Sequence, residues 1–251
     1  MINKILLITG FLTAGFVLSL SAEPTPTPTA PENETVNNPK EKEDPTLSFE
    51  EEVDLLYKAF SAENESMPSM NSFMKAMMGY SKLKEEGKVK NELLTIVDFS
   101  ISSTKERIWI LDMASNKVLY NTFVAHGKNT GEEMATEFSN IENSFQSSLG
   151  FYLTAETYYG ANGLSLKLDG MEEGFNSNAR SRYIVVHGAA YANPEVIANQ
   201  GRLGRSLGCP ALPTKLSKEI IQLIKGNSVM FIYHPNEEYA KNSTYLNQTT
   251  V

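Results

Sequence analysis

A mostly antiparallel β domain with small helices, preceded by a helical segment, is the fold that the sequence predicts. Three patterns predict it. Short runs rich in β-branched and aromatic residues begin at residue 93 and are separated by turn residues. Ahead of them, apolar residues recur at helical spacing. Between the later runs, two segments carry helix start and stop signals.

In chain order, Ser48 followed by Glu51 makes a capping box, and Phe49, Val53, Leu56 and Phe60 form one helix face. A second helix carries Met70, Phe73, Met77 and Tyr80 on one face and ends near Gly87. The methionines suggest a binding groove less than they suggest a face packed on the domain. Leu93–Ile101 and Arg107–Met113 read as strands, and Ala114-Ser115-Asn116 turns the chain into a third, Lys117–Ala125. Phe151–Ala155, Leu164–Leu168, Arg182–Val186 and Ser228–Tyr233 follow. Asn193-Pro194 starts a short helix, with Asn193 as its cap, that Gly201 stops, and another helix runs from Thr214 to Lys225. The domain boundaries expected are a signal peptide over 1–22, a Pro/Thr-rich linker over 23–46, the helical segment over 47–90, a catalytic domain over 91–235 and a frayed polar tail over 236–251.

The export signal rests on Lys4, the apolar run Ile5 to Leu20 and the small residues Ser19, Ser21 and Ala22. Cleavage after Ser21 fits best, and an uncleaved anchor is the alternative and the one expected membrane contact. Export gives weight to the cysteine count. Exported cysteines normally pair, and this chain has one, Cys209. A lone cysteine is commonly a small buried hydrophobe. In an exported chain its presence raises the case for a task that needs a thiol. The net charge of −8 argues against nucleic acid as a partner. Four of the five arginines (Arg180, Arg182, Arg202, Arg205) fall in one stretch, which fits the handling of an anionic group or, alternatively, ion pairs on a solvated face. The three histidines and one cysteine lack metal-ligand spacing, so neither a metal nor another cofactor is expected. A monomer is expected.

The chemistry concentrates in Tyr183-Ile184-Val185-Val186-His187-Gly188 and in Gly201-Arg202-Leu203-Gly204-Arg205-Ser206-Leu207-Gly208-Cys209-Pro210-Ala211. An apolar strand delivers His187 to its end, and a glycine-rich loop delivers Cys209. Gly208 permits close approach of the main chain to a substrate. A thiol with an ordinary pKa of about 8.5 needs a base to become nucleophilic, and an imidazole supplies one. A histidine closing a strand is, taken alone, more often a satisfied core residue. The pairing with Ser206-Leu207-Gly208-Cys209 shifts the balance to a catalytic dyad. His126, in Val124-Ala125-His126-Gly127, also ends a strand before a glycine, and a cleft-lining role stands against a structural one.

These motifs resemble those of the murein L,D-transpeptidase catalytic domain family, which carries a His-Gly step followed by Ser/Thr-x-Gly-Cys. Leu168-Asp169-Gly170, Asn178-Ala179-Arg180 and Gly201–Pro213 add to the likeness, which spans roughly residues 70–235. Two departures stand out. His187 and Cys209 are 22 positions apart, longer than usual, and Pro210 follows the cysteine where Ile or Val is frequent.

The resemblance implies an L,D-transpeptidase-type β-sandwich or barrel-like fold and a periplasmic or secreted enzyme at the cell wall. It implies that His187 takes the Cys209 proton and that the thiolate attacks the bond between the L-centre of diaminopimelate and D-Ala in a peptidoglycan stem tetrapeptide. N–H groups around Gly208 and Cys209 would hold the oxyanion, and the Gly188 carbonyl would orient His187. Arg205 is the candidate for a substrate carboxylate, with His126 and Ser206 as further substrate contacts; for Ser206 a loop-shaping bond is equally expected. The thioester passes to an amine of a second stem, giving a 3–3 cross-link. The alternatives are L,D-carboxypeptidase action on the same bond, or an inactive wall-binding module. A papain-like enzyme would place its cysteine before its histidine. A sortase would need an arginine after Cys209, and none follows.

Overall fold

The computed structural model describes residues 47–247, so the expected signal peptide and the whole of the expected linker lie outside the described residues. Helix α1 (Phe49–Glu63) starts with the expected reciprocal capping box between Ser48 and Glu51. Helix α2 (Met70–Glu85) buries Phe73, Ala76, Met77, Gly79, Tyr80 and Leu83. Its face is therefore a packing face, as the spacing suggests. The strands that follow are β1 (Leu93–Asp98), β2 (Ile108–Asp112), β3 (Lys117–Thr122), β4 (Gly150–Gly160), β5 (Gly163–Gly170), β6 (Val185–Gly188), β7 (Ala211–Leu212) and β8 (Val229–Tyr233). Among them lie a 3₁₀ turn (Ala190–Ala192) and helices α3 (Glu195–Gln200) and α4 (Thr214–Ile224). Helix α5 (Glu237–Asn242) follows β8.

All eight strands join one mixed sheet in the order β3-β2-β1-β8-β4-β5-β6-β7. Pairings are antiparallel except β1 with β8 and β6 with β7, which are parallel. Every residue of β1 and of β8 is buried, which fits the continuous apolar run of β8 and the apolar residues on both sides of Thr95 in β1. The sheet curls until its edges meet. Ala125, just past β3, exchanges backbone hydrogen bonds with Ala211 of β7 (2.9 and 3.3 Å). Isolated bridges of this kind give the curled, barrel-like, mainly β architecture that the family resemblance implies. They also bring residues 125–128 against the loop that carries Cys209: Ser206 N–H donates to His126 O, and Lys128 N–H to Ser206 O.

The core fills the curled sheet and the space under α2. Phe151 stacks on Phe231 with centroids 4.2 Å apart. Gly79 lets α2 rest on Phe151, since a Cβ there would overlap the ring. Gly79→Ala is expected to lose about 1–3 kcal/mol through overpacking, read as a lower urea midpoint at unchanged slope. A midpoint equal to the parent's would show that the ring can move aside.

Several elements differ from the sequence expectation: β1 and β3 stop at Asp98 and Thr122, short of the expected Ile101 and Ala125, and β4 runs past the expected Ala155 to Gly160. The strand expected at Arg182–Val186 begins three residues later, because Tyr183 is left-handed (φ 56°) and ends a turn rather than extending a strand. Asn193 does not cap α3. Its Oδ1 accepts from Thr214 N–H (2.8 Å) and the Thr214 hydroxyl (3.1 Å), which ties the segment between β6 and α3 to the start of α4. The described part of the expected tail, residues 236–247, is ordered around a short helix, and residues 248–251 lie outside the described residues. Helix α5 buries Tyr239, whose hydroxyl donates to the buried Glu172 carboxylate (2.7 Å), and Ser243 bonds the same carboxylate. Polar composition hid this anchor, since its partner lies about seventy positions upstream.

Candidate active site

The β6–β7 register decides where the thiol goes. His187 pairs with Ala211, so Cys209, two residues upstream of Ala211, comes beside Val185, two upstream of His187. The Cys209 Sγ accordingly lies 3.5 Å from Val185 N–H and 3.5 Å from Tyr183 O. It accepts from the first and donates to the second. Cys209 is half-buried and the one free cysteine. Burial pushes its thiol pKa up, while the Val185 N–H and the Arg182 charge work the other way.

His187 is 3% exposed, and its Nδ1 lies 3.0 Å from Gly188 O. A carbonyl only accepts, so Nδ1 carries the proton and Nε2 keeps its lone pair as a base. No carboxylate takes part in this hydrogen bond. Burial lowers the His187 pKa, against a smaller opposing effect of the Gly188 carbonyl, so the ring rests neutral. Tyr191 packs edge-on to His187 with centroids 6.5 Å apart. Gly204 N–H in turn donates to Tyr191 O (2.7 Å), which fastens the 3₁₀ turn after β6 to the cysteine loop.

Within that loop, Ser206 Oγ donates to Cys209 O (2.7 Å) and accepts from Gly208 N–H (3.0 Å). Both Ser206 contacts shape the loop. The Gly208 N–H is thereby occupied and is not free for an oxyanion. Among the described residues, no acceptor within hydrogen-bond reach faces Cys209 N–H. The need for glycine at 208 has a local cause. Its φ is +124°, and a Cβ would sit 2.8 Å from Gln146 O. The close approach it permits is to the chain's own 139–148 loop.

The remaining expected contacts fall around this centre. His126 is buried; Arg107 Nη2 donates to its Nδ1 (2.8 Å), and its Nε2 donates to Gly131 O (3.3 Å). Burial and the Arg107 charge pull its pKa down to about 4. With both ring nitrogens taken, His126 forms the wall behind the cysteine loop, which is the structural reading of that residue. Arg205 Nη1 donates to Glu132 (2.6 Å), Lys128 O (3.0 Å) and Gly131 O (3.1 Å). A ligand carboxylate at Arg205 would compete with Glu132.

Sequence reasoning gave Arg182 no role of its own. Its guanidinium donates to Ser139 O (2.7 Å), Ser148 Oγ (2.6 Å), Ser144 Oγ (3.1 Å) and Gln146 O (2.7 Å). It pins the loop that packs on Gly208. The arginine cluster was the only signal, and two of the four acceptors are backbone carbonyls far away in the chain. Tyr183 O and Val185 N–H, the backbone partners of the sulfur, carried no signal at all. A cavity of about 630 Å³ opens beside this strand, lined by Tyr158, Lys167, Arg180, Tyr183 and Val185 among others.

Among the described residues no cluster of His, Cys, Asp or Glu is arranged to hold a metal ion, and no helix is long and apolar enough to cross a membrane. No curated protein matches the sequence. Solved structures that resemble the fold include an L,D-transpeptidase from Mycobacterium smegmatis (13% identity, 57% of this chain and 59% of that one, TM-score 0.34). L,D-transpeptidase 1 of Mycobacterium tuberculosis is similar at 11% identity (57% and 62%, TM-score 0.32). An L,D-transpeptidase from Stackebrandtia nassauensis is similar at 12% identity (74% and 77%, TM-score 0.33). The chain thus spans about three fifths of the length of the two mycobacterial structures. A family model described as the L,D-transpeptidase catalytic domain matches residues 63–233, more than half of the chain. The chain belongs to the L,D-transpeptidase catalytic domain family.

Proposed function

We propose that this chain is a cysteine acyltransferase of the cell wall that acts on peptidoglycan stem peptides, with Cys209 as nucleophile and His187 as base. The observation that carries the reading is the pairing of β6 with β7. It sets the lone thiol next to the strand that ends in a histidine whose tautomer leaves Nε2 basic. In the resting arrangement the S–H donates to Tyr183 O. Among the described residues no hydrogen bond joins Cys209 Sγ to His187, so the reading requires the thiol to turn from that carbonyl to His187 Nε2 when a donor binds.

The thiolate attacks the carbonyl of the L-centre diaminopimelate–D-Ala bond. The Cys209 N–H, which the loop leaves without an acceptor, supports a role in holding the oxyanion, worth on the order of 10²–10³ in rate. The C–N bond breaks, D-Ala leaves with the proton from His187, and a thioester remains. An amine of a second stem then takes the acyl group, giving a 3–3 cross-link. Water in its place gives L,D-carboxypeptidase action. A periplasmic or secreted location at the wall belongs to the same reading. The test is to incubate the protein with a disaccharide tetrapeptide and identify products by mass. Cross-linked dimer or tripeptide with free D-Ala supports the reading, and unchanged substrate refutes it.

A raised thiol pKa and a lowered imidazole pKa describe a neutral pair rather than a standing thiolate–imidazolium. Thiolate formation is then disfavoured until the pH exceeds the ordinary thiol value of about 8.5. Iodoacetamide labelling of Cys209 is expected to rise in one step centred above that value. A plateau of fast labelling from pH 6 to 8 would contradict the neutral pair.

A further inference from the structure

Tyr183 has a conformation and an exposure that packing does not explain. Five described residues other than glycine have positive φ, and three of them are asparagines, which tolerate it. The other two are Phe145 and Tyr183. The Phe145 ring is covered by Lys128 Nζ, 4.2 Å from its centroid. Tyr183 is 79% exposed and belongs to neither hydrophobic cluster. Its backbone is set by the turn around it: Tyr183 N–H donates to Arg180 O (3.2 Å), and Ile184 N–H to Ala179 O (2.9 Å). Glycine or asparagine would meet the demands of this turn with less strain. A large aromatic ring held in a disfavoured conformation, in water, points to a contact made only when a ligand is present.

The position of the ring says which ligand. The Tyr183 carbonyl accepts the Cys209 S–H, so the residue stands directly beside the reacting atom. Its side chain lines the 630 Å³ cavity along β6. Lys167 and Arg180 line that cavity too, and their partners Glu156 and Asp169 stand outside the lining. A cavity with an aromatic rim, whose lining reaches Val185, the backbone neighbour of the thiol, and whose lysine and arginine are held in ion pairs with carboxylates, fits an extended peptide of mixed charge. We propose that Tyr183 is a substrate-contacting specificity residue, its ring lying over the acyl-donor stem peptide in the cavity beside Cys209. The inference rests on the function proposed above and adds to it the residue that covers the donor.

The experiment uses the full chain and three variants, Tyr183→Asn, Tyr183→Gly and Tyr183→Phe, with the disaccharide tetrapeptide as donor. Because asparagine and glycine suit the left-handed backbone, both variants are expected to have thermal midpoints at or above the parent's. Their kcat/KM is expected to fall at least tenfold, mainly through KM, while Tyr183→Phe stays within threefold. A loss of less than tenfold in both the asparagine and glycine variants overturns the inference, as does a lower thermal midpoint in both, which would make the ring a packing residue. A Tyr183→Phe variant as impaired as Tyr183→Asn overturns the role of the ring. Turnover by the parent separates these outcomes from failure of the proposed function. A parent that leaves the tetrapeptide unchanged refutes that function and this inference with it.

Discussion

Cys209→Ala is expected to reduce acyl transfer to the uncatalysed background while leaving the fold intact. The sulfur is the only thiol in the chain, and its neighbours are a strand N–H and a carbonyl, both 3.5 Å away. Neither contact is strong, because sulfur is a weak donor and a weak acceptor. Loss of the two costs roughly 1 kcal/mol at most. The thiolate cannot be replaced, since alanine offers no electron pair to form the thioester. Product formation from tetrapeptide, followed by mass, and a thermal scan together check both halves. Turnover by the alanine variant above a trace would remove Cys209 from the mechanism. A collapse of the fold would return it to the role of a buried hydrophobe.

Gly208→Ala is expected to cost about 100-fold in kcat/KM, the scale associated with displacing reacting groups by about 1 Å. The backbone at 208 has φ +124°, which side chains with a Cβ rarely adopt. The added carbon would also sit 2.8 Å from Gln146 O and 3.0 Å from Ile184 Cδ1. Gln146 O cannot withdraw easily, because Arg182 Nη2 holds it at 2.7 Å. The strain therefore falls on the cysteine loop, whose ties run through Ser206 to Gly208 N–H and Cys209 O. Steady-state kinetics on the tetrapeptide, with a thermal midpoint within a few degrees of the parent, is the expected pattern. Parent-like kinetics would mean that the loop absorbs a methyl group and does not set the position of the thiol.

Much of the fold was legible because it is written in local signals. The Ser48–Glu51 box, the apolar runs of β1, β2 and β8, and the Asn116 turn each rest on neighbours in the chain. The proposed dyad was legible as a candidate because a lone cysteine in a glycine loop and a histidine closing an apolar strand are uncommon together. What was not legible depends on distant partners. β7 is two residues long and exists only as the partner of β6 and of Ala125. Arg182 reads as one more cation until the 139–148 loop folds over it. His126 reads as a cleft residue until the buried Arg107 takes its Nδ1. Gly208 reads as room for a substrate, and the structure fills that room with the chain's own backbone.

The central claim is that the Cys209 sulfur forms the acyl bond. The most direct measurement is the mass of the protein after exposure to a carbapenem, a strained lactam bearing a carboxylate, followed by tryptic mapping. Opening of the lactam by the thiolate adds the whole reagent mass once, as a thioester. The account predicts one adduct, carried by the tryptic peptide over residues 206–215, and no adduct in Cys209→Ala. An unmodified protein after prolonged incubation, or an adduct on any other peptide, would contradict it.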